Sequence, residues 1–211
     1  MSYITDNEAK ITRYMSFGFG ALIIGALLWI FAIKPYLEKA DTVNYQPKGS
    51  VEKITYKKSD HSLGINGGNN NLASLVNVDY FYPLKPGDDP NVASQKLGEA
   101  DRFRTEGDNT TQHQNAYREY ELNGYTLKLT TYLTRYSDSD DDIFHVLESL
   151  PHGVSYYQVL KGDALSNIPS DIGEELKTIT VDVNNDDYGA IQLNLVGDRV
   201  ESMRWYENRP R

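Results

Sequence analysis

The run Met15–Ile33 contains no charged residue, and this feature constrains the chain more than any other. A helix rises about 1.5 Å per residue, so the run would be about 28 Å long, close to the hydrocarbon core of a bilayer at about 30 Å. Because the run is apolar on every face, a helix buried in a protein core explains it less well. We expect a single transmembrane helix over residues 15–36, in contact with the lipid bilayer.

Both ends of this span carry residues that are typical of a membrane interface. Aromatic rings favour the headgroup region, and they stand near both ends: Tyr14 on one side, and Trp29, Phe31 and Tyr36 on the other. Lys34 and Pro35 are expected to close the helix, because proline cannot continue its hydrogen-bond ladder.

The residues around the span favour an uncleaved anchor over a signal peptide. The preceding segment contains Asp6 and Glu8, the apolar run exceeds the usual signal-peptide core of about 7–15 residues, and Ile33–Ala40 offers no A-x-A cleavage site. Basic residues flank both ends, so charge alone does not fix the orientation. A short tail followed by a long domain favours a cytoplasmic N-terminus and an extracytoplasmic domain, as in a bacterial inner-membrane protein that faces the periplasm.

The rest of the chain is polar and acidic. The whole chain has a formal charge of −9, and residues 37–211 alone carry −10. This charge repels phosphate backbones, so we expect no nucleic-acid partner, and a basic protein is a better candidate. Because the chain contains no cysteine, disulfides, thiolate catalysis and cysteine-based zinc sites are excluded.

The pattern divides the chain into four segments: a polar tail (1–14), the anchor helix (15–36), a polar connector (37–50) and an acidic soluble domain (51–211). Period-two alternation dominates the domain. It is therefore predicted as an α+β fold, a mostly antiparallel sheet with one main helix packed on it.

The first half of the domain is predicted as two strands separated by a loop. Residues 51–58 predict a strand, and the Gly- and Asn-rich residues 59–71 predict a loop. Residues 72–84 predict a second strand, because Val76, Val78, Tyr80 and Tyr82 alternate. A short helix is expected within residues 89–104, followed by a loop over residues 105–114.

The clearest local pattern is a hairpin over residues 116–136. Asn123-Gly124 stands between two alternating runs, and a two-residue type I′ turn needs positive φ at both central positions. The turn fixes the register, so that Leu122 faces Tyr125 and Glu119 faces Lys128, an opposite-charge cross-strand pair.

The second half of the domain is predicted as a helix, a strand and a final meander. Residues 137–153 predict the main helix, with Phe144, Leu147 and Leu150 spaced for one buried face. Residues 154–160 predict a strand and residues 162–176 short helical turns. Three further strands are expected over residues 177–183, 188–196 and 199–207, with one polar and one apolar face.

Two acidic loops are the candidate partner-binding residues. They contribute Asp138, Asp140, Asp142, Asp186 and Asp187. Calcium explains the first loop poorly, because Ile143 and Ser149 stand where an EF-hand has its glycine and its bidentate glutamate. Capping of a helix N-terminus explains it better. The second loop is typical of a hairpin turn.

Motifs for catalysis and cofactor binding do not occur in the chain. It has no G-x-S-x-G, P-loop or dinucleotide-binding motif, and its four histidines lack the spacing of a two-histidine zinc face. We therefore expect a non-enzymatic protein without a cofactor. A hydrolase with carboxylates brought together only by the fold remains an alternative.

Small residues within the span are candidates for packing against another membrane helix. Ser16 and Gly20, and likewise Ala21 and Gly25, form small-xxx-small pairs that permit close helix approach.

The sequence thus favours a membrane-anchored, extracytoplasmic protein-binding domain. One specific version is an immunity-type inhibitor whose acidic surface captures a basic toxin or enzyme at the membrane. The alternative is an accessory subunit of a membrane complex, in which the span carries much of the contact.

Overall fold

The computed structural model describes residues 22–106, 113–134, 144–184 and 189–206. By backbone contacts the chain divides into two compact units, Met1–Val43 and Asn44–Arg211.

Residues 22–41 of the first unit are helical. Residues 22–28 form an α-helix, Trp29–Ile33 a π-helical turn, and Lys34–Asp41 a further α-helix (α1). The expectation that Pro35 ends the helix is wrong. Pro35 follows the π-helical turn, in which the Lys34 N–H donates to the Trp29 carbonyl, and helical residues continue to Asp41.

Within the described residues, no helix is both long and apolar enough to span a membrane. Residues 15–21 of the predicted span lie outside the described residues. The helical residues 22–40 are exposed throughout. Among their large apolar side chains, Leu22 is 73% exposed and Phe31 is 75% exposed.

The fold is α+β and is dominated by one ten-stranded sheet. The strands are Thr42–Tyr45 (β1), Lys53–Lys57 (β2), Ser62–Asn66 (β3), Arg102–Glu106 (β4), His113–Leu122 (β5), Tyr125–Thr134 (β6), Phe144–Pro151 (β7), Thr178–Asp182 (β8), Ala190–Val196 (β9) and Arg199–Tyr206 (β10). Their spatial order is β1-β2-β3-β8-β9-β10-β7-β6-β5-β4. From β2 to β4 every neighbouring pair is antiparallel except β3–β8, which is parallel, so the sheet is mostly antiparallel as predicted.

Short helices lie between the strands in the described part of the chain. They are Leu72–Leu75 (α2), the 3₁₀ turn Val78–Phe81, Pro90–Leu97 (α3), Tyr156–Val159 (α4) and Gly162–Ser166 (α5). Phe81 is fully buried, and its ring centroid lies 5.3 Å from that of Trp205 on β10. Aliphatic residues of the strands complete this core, among them Ile54, Leu63, Ile179, Leu193, Met203, Leu147 and Leu129.

The hairpin prediction is confirmed. β5 and β6 pair with Leu122 opposite Tyr125 and Glu119 opposite Lys128, and Gly124 has the positive φ of +92° that the turn requires. The final meander is also confirmed, since β8, β9 and β10 pair in sequence. In each case a short connection and an alternating pattern specify the same register.

The predicted main helix is wrong. Residues 144–151 form strand β7 between β6 and β10, and residues 137–143 lie outside the described residues. The pairing shifts between Val146, opposite Thr130, and Phe144, opposite Thr131. This bulge places Phe144 and Leu147 on the same buried face although they are three residues apart, a spacing that also fits a helix.

Two predicted strands are short helical turns instead. In residues 72–84, Asn71 accepts from the Ala73 N–H at 2.9 Å and Asn77 from the Asp79 N–H at 3.2 Å, so each caps a turn. In residues 154–160, Ser155 and Gln158 form a capping box at the start of α4. Local capping outweighs the alternation of apolar residues in both segments.

The loop predicted over residues 59–71 contains strand β3. Leu63 and Ile65 are each 1% exposed on the core face, while Gly64 lies between them on the other face. The short helix expected within residues 89–104 is confirmed as α3, and the end of that segment forms β4.

Candidate functional site

The acidic residues predicted to bind a partner are not placed by the structure. Outside the described residues lie Asp138, Asp140, Asp142, Asp186 and Asp187, together with Ser16, Gly20 and Ala21 of the span. Gly25 is described, and an added Cβ there would meet no other described atom within 4 Å.

A row of alternating charges crosses five neighbouring strands on the face of the sheet opposite the core. In register order the row is Arg102, Glu119, Lys128, Glu148 and Arg204. Arg204 Nε donates to Glu148 Oε1 at 2.9 Å, and Glu119 lies 3.4 Å from Arg102 and 3.8 Å from Lys128. Opposite charges directly across neighbouring strands stabilise this face of the sheet.

Arginine and aromatic side chains are concentrated where this row ends, at β4. Every residue of β4 is exposed, and Phe103 is 60% exposed. The Arg104 guanidinium lies 4.7 Å from the centre of the Tyr117 ring, and the Arg118 guanidinium 5.1 Å from that of Phe103. These side chains form the arginine–aromatic edge, which consists of Arg102, Phe103, Arg104, Tyr117 and Arg118.

Contacts within β5 and β6 hold this edge in place. Arg118 donates from Nη1 to Thr131 Oγ1 at 3.1 Å, so the guanidinium that stacks on Phe103 is also tied to β6. Stacking on Phe103 and the hydrogen bond to Thr131 together restrict the conformations of the Arg118 side chain.

A second cluster holds the chain segment that leads into β2. The Ser50 backbone N–H and hydroxyl both donate to Asp163 Oδ2 at 2.7 Å, which lowers the pKa of that carboxyl group. Asn167, only 4% exposed, accepts from the Lys48 N–H at 2.7 Å and donates to the Lys48 carbonyl at 2.8 Å. Gly49 has φ +66°, and a Cβ there would collide with the Asp163 carboxylate. These contacts fasten residues 48–50 to α5.

His61 lies in a small polar cluster at the β2–β3 turn. Its φ of +52° is uncommon for a residue with a side chain, although histidine is one of the types that tolerate it. The Tyr56 hydroxyl hydrogen-bonds its Nδ1 at 3.0 Å, and Glu175 lies 3.8 Å from the same atom. The His61 carbonyl accepts from the Lys177 N–H at 3.0 Å, so the cluster joins this turn to the chain entering β8.

Two carboxylates, Asp182 at the end of β8 and Glu52 before β2, interact electrostatically. Partial burial, and secondly the charge of Glu52, raise the pKa of Asp182 above its ordinary value. Asn184 donates to Glu52 Oε2 at 3.1 Å and so holds one of the two groups in place. The raised pKa means that Asp182 keeps its proton to a higher pH in the folded chain than in the unfolded chain.

The Asp182→Asn variant is expected to have a higher melting temperature than the native chain at pH 7. The pKa of Asp182 in the folded chain lies above its unfolded value of about 3.8. At a pH between these two values the native state binds more protons than the unfolded state, so stability falls as the pH rises through this range. The asparagine amide does not ionise, so the variant avoids this loss of stability. Its gain in melting temperature over the native chain should shrink toward pH 4. Thermal unfolding followed by circular dichroism measures it. Glu201→Gln, at an exposed position of β10, is the control. A gain that is the same at pH 4 and pH 7 would contradict the electrostatic origin.

Among the described residues, no three His, Asp or Glu side chains are grouped closely enough to hold a metal ion. No protein-family model, curated protein or solved structure matches the chain.

The arginine–aromatic edge was missed by reasoning from the sequence. The alternation Arg102-Phe103-Arg104-Thr105 is present, but it covers only the five residues of β4. A run so short does not separate a strand from the end of a helix or a loop. The opposite register positions of Glu119 and Lys128 were predicted, whereas the continuation of the charged row into β7 and β10 depends on strands distant in the sequence.

Proposed function

We propose that the chain is a membrane-tethered binding protein. Residues 15–36 anchor an acidic α+β domain outside the cytoplasm, where the domain docks another protein and performs no catalysis. The observation that carries this proposal is the arginine–aromatic edge, because arginine and aromatic residues are enriched among the residues that dominate protein–protein binding energy.

The exposed apolar side chains of residues 22–33 support the anchor. Exposure of apolar area to water costs about 25 cal/mol per Å². Side chains as large as Ile24, Trp29 and Phe31 are each at least half exposed. Lipid hydrocarbon can surround such a helix without cost to its backbone, because the backbone N–H and C=O groups hydrogen-bond within the helix.

The more specific version of the proposal is an immunity-type inhibitor. In this version the domain, with its net charge of −10, attracts a basic toxin or enzyme to the membrane surface. Carboxylates such as Asp138 and Asp186 would act at long range, by steering the encounter. Association that does not weaken between low and high salt would contradict this version.

An accessory subunit of a membrane complex is the second candidate, and the surroundings of Gly25 favour it. Since an added Cβ would meet no described atom there, a neighbouring helix can approach the backbone closely. In this case the helix, rather than the domain, would carry the contact.

Site-specific photo-crosslinking in the full-length chain, in native membranes, tests the proposal. A photoreactive phenylalanine derivative replaces Phe103 in one variant and Tyr82, 72% exposed, in a control variant. We expect a discrete adduct with one partner from position 103 and none from position 82. Identical adduct patterns, or no adduct from position 103, would contradict a docking role of the edge. Loss of the adduct in Gly20→Leu/Gly25→Leu would favour the accessory subunit.

A further inference from the structure

In the described part of the chain, strand β4 is the last strand of the sheet, and no described strand pairs with its outer edge. In the described sheet β5 is its one neighbour, and all five residues of β4 are exposed. The N–H and C=O groups on the outer side of such a strand can accept another extended segment.

The side chains of β4 fall into two sets. Arg102, Arg104 and Glu106 lie on the face that carries the charged row, since Arg102 is opposite Glu119. Phe103 and Thr105 lie on the other face, with Phe103 opposite Arg118. An added strand would therefore meet two arginines on one face and an exposed aromatic ring on the other.

Natural edge strands are protected from association by charged side chains, proline, bulges or covering elements. β4 carries charged side chains, but it also presents Phe103, 60% exposed, between two arginines whose side chains are 75% and 66% exposed. Each arginine lies beside a carboxylate of the same domain, Arg102 3.4 Å from Glu119 and Arg104 3.2 Å from Glu106. Both guanidinium groups stay largely exposed, so carboxylates of an added strand can reach them as well.

From this geometry we infer that β4 pairs in antiparallel fashion with an extended segment of a partner protein. That segment carries carboxylates opposite Arg102 and Arg104 and an aromatic or aliphatic side chain opposite Phe103. Backbone hydrogen bonds supply part of the affinity, and the cross-strand charge pairs select the partner. The inference deepens the proposed function and rests on it, because it names the recognised chemistry at the same edge.

A synthetic peptide tests strand pairing directly. An antiparallel partner of Glu106, Thr105, Arg104, Phe103 and Arg102 has the central sequence Lys-Thr-Glu-Phe-Glu, and this peptide is end-capped and labelled with fluorescein. Its binding to the full-length chain in mild detergent is measured by fluorescence polarisation. We expect saturable binding that weakens as salt concentration rises. The peptide Lys-Thr-Lys-Phe-Lys should bind at least about tenfold more weakly, because both charge pairs become repulsive.

Backbone methylation distinguishes strand pairing from attraction by charge alone. Two isomers of the acidic peptide carry N-methyl groups on alternate backbone amides. In one isomer the methyl groups block one hydrogen-bonding edge of the extended peptide, and in the other they block the opposite edge. Only the isomer whose hydrogen-bonding edge is blocked should lose binding. Equal binding of both isomers would overturn the inference, and so would the absence of binding to the unmethylated peptide.

Charge exchange on the protein locates the site. Arg102→Glu/Arg104→Glu should reverse the preference, so that the lysine peptide binds more tightly than the acidic one. Lys53→Glu/Lys57→Glu changes the net charge equally at exposed positions of β2 and should keep the original preference. Reversal in both variants would show that net charge decides the preference and would overturn the inference. Self-association of the chain, abolished by the β4 variant, would identify a second copy as the occupant and likewise overturn it.

Together, the peptide and crosslinking experiments distinguish failure of the strand-pairing inference from failure of the proposed function. A partner crosslinked through position 103, with no peptide binding, would preserve the binding protein and exclude strand pairing. The absence of both would remove the proposed function together with the inference.

Discussion

Phe81→Ala is expected to lower the free energy of unfolding by about 3–5 kcal/mol, the usual cost of truncating a buried phenylalanine. Phe81 has no exposed surface and lies in the 3₁₀ turn Val78–Phe81. Its ring contacts Trp205 of β10 at a centroid distance of 5.3 Å. Truncation removes the contact between this turn and the centre of the sheet, and the packed surroundings collapse only in part around the cavity.

Urea unfolding measures this loss, and Phe103→Ala is its control. The control makes the same substitution at a ring that is 60% exposed, so it should change the free energy of unfolding far less. Equal losses in the two variants would mean that burial of Phe81 is not what stabilises the domain.

Asn167→Asp is expected to destabilise the domain by about 3 kcal/mol at pH 7, the scale set by leaving buried polar groups without partners. The Asn167 amide donates to the Lys48 carbonyl at 2.8 Å and to the Asp163 carbonyl at 2.7 Å. A carboxylate of the same shape cannot donate, and it places negative charge against both carbonyl oxygens. The segment entering β2 would then be held to α5 by the Ser50–Asp163 hydrogen bonds without the support of the Asn167 amide.

The cost of this substitution should decrease at acidic pH. Burial beside two carbonyls raises the pKa of the introduced carboxyl group, so the native state binds an extra proton and stability falls as pH rises. Once protonated, the carboxyl group can donate one hydrogen bond. Denaturant unfolding at pH 4 and pH 7 measures the difference. Asn91→Asp, at an exposed position in the first turn of α3, should change stability little at either pH. A pH-independent loss at position 167 would contradict this explanation.

The net charge of this domain and the arginines at one end of its sheet predict different partner chemistry. Residues 37–211 carry −10, and that number suggests a basic partner. The arginine–aromatic edge, by contrast, presents three guanidinium groups at the end of the sheet. Long-range attraction depends on the first property and close contact on the second, so the two predict different partners and are tested separately.

The sequence predicts an element well where a local turn and a periodic pattern agree. At Asn123-Gly124 the turn demands positive φ and fixes the pairing of β5 with β6, and the structure has the predicted register. The β8–β9–β10 meander follows the same rule, with short connections between alternating strands. Both units depend on neighbours in the sequence.

Some of the errors were avoidable from local chemistry. Ser155 and Gln158 have the spacing of a capping box, which marks the start of a helix and is formed in α4. Asn71 and Asn77 each precede a helical turn and cap it. Capping residues were therefore better indicators than the alternation of Val76, Val78 and Tyr80.

The largest error depended on tertiary structure. Phe144 and Leu147 are three residues apart, which fits one face of a helix equally well. The bulge opposite Thr130 and Thr131 brings both residues to the buried face of β7, and a bulge is visible only when the partner strand is known.

By itself the sequence determined the charge-free run, the acidic character of the domain, the absence of cysteine and the locally paired strands, because each depends on composition or on neighbouring residues. Only the tertiary structure decided that β7 lies between β6 and β10, that β3 pairs in parallel with β8, and that β4 ends the sheet. These placements join residues far apart in the chain. Their physical cause is the burial of one shared apolar face, and the charged row lies on the opposite face of the sheet.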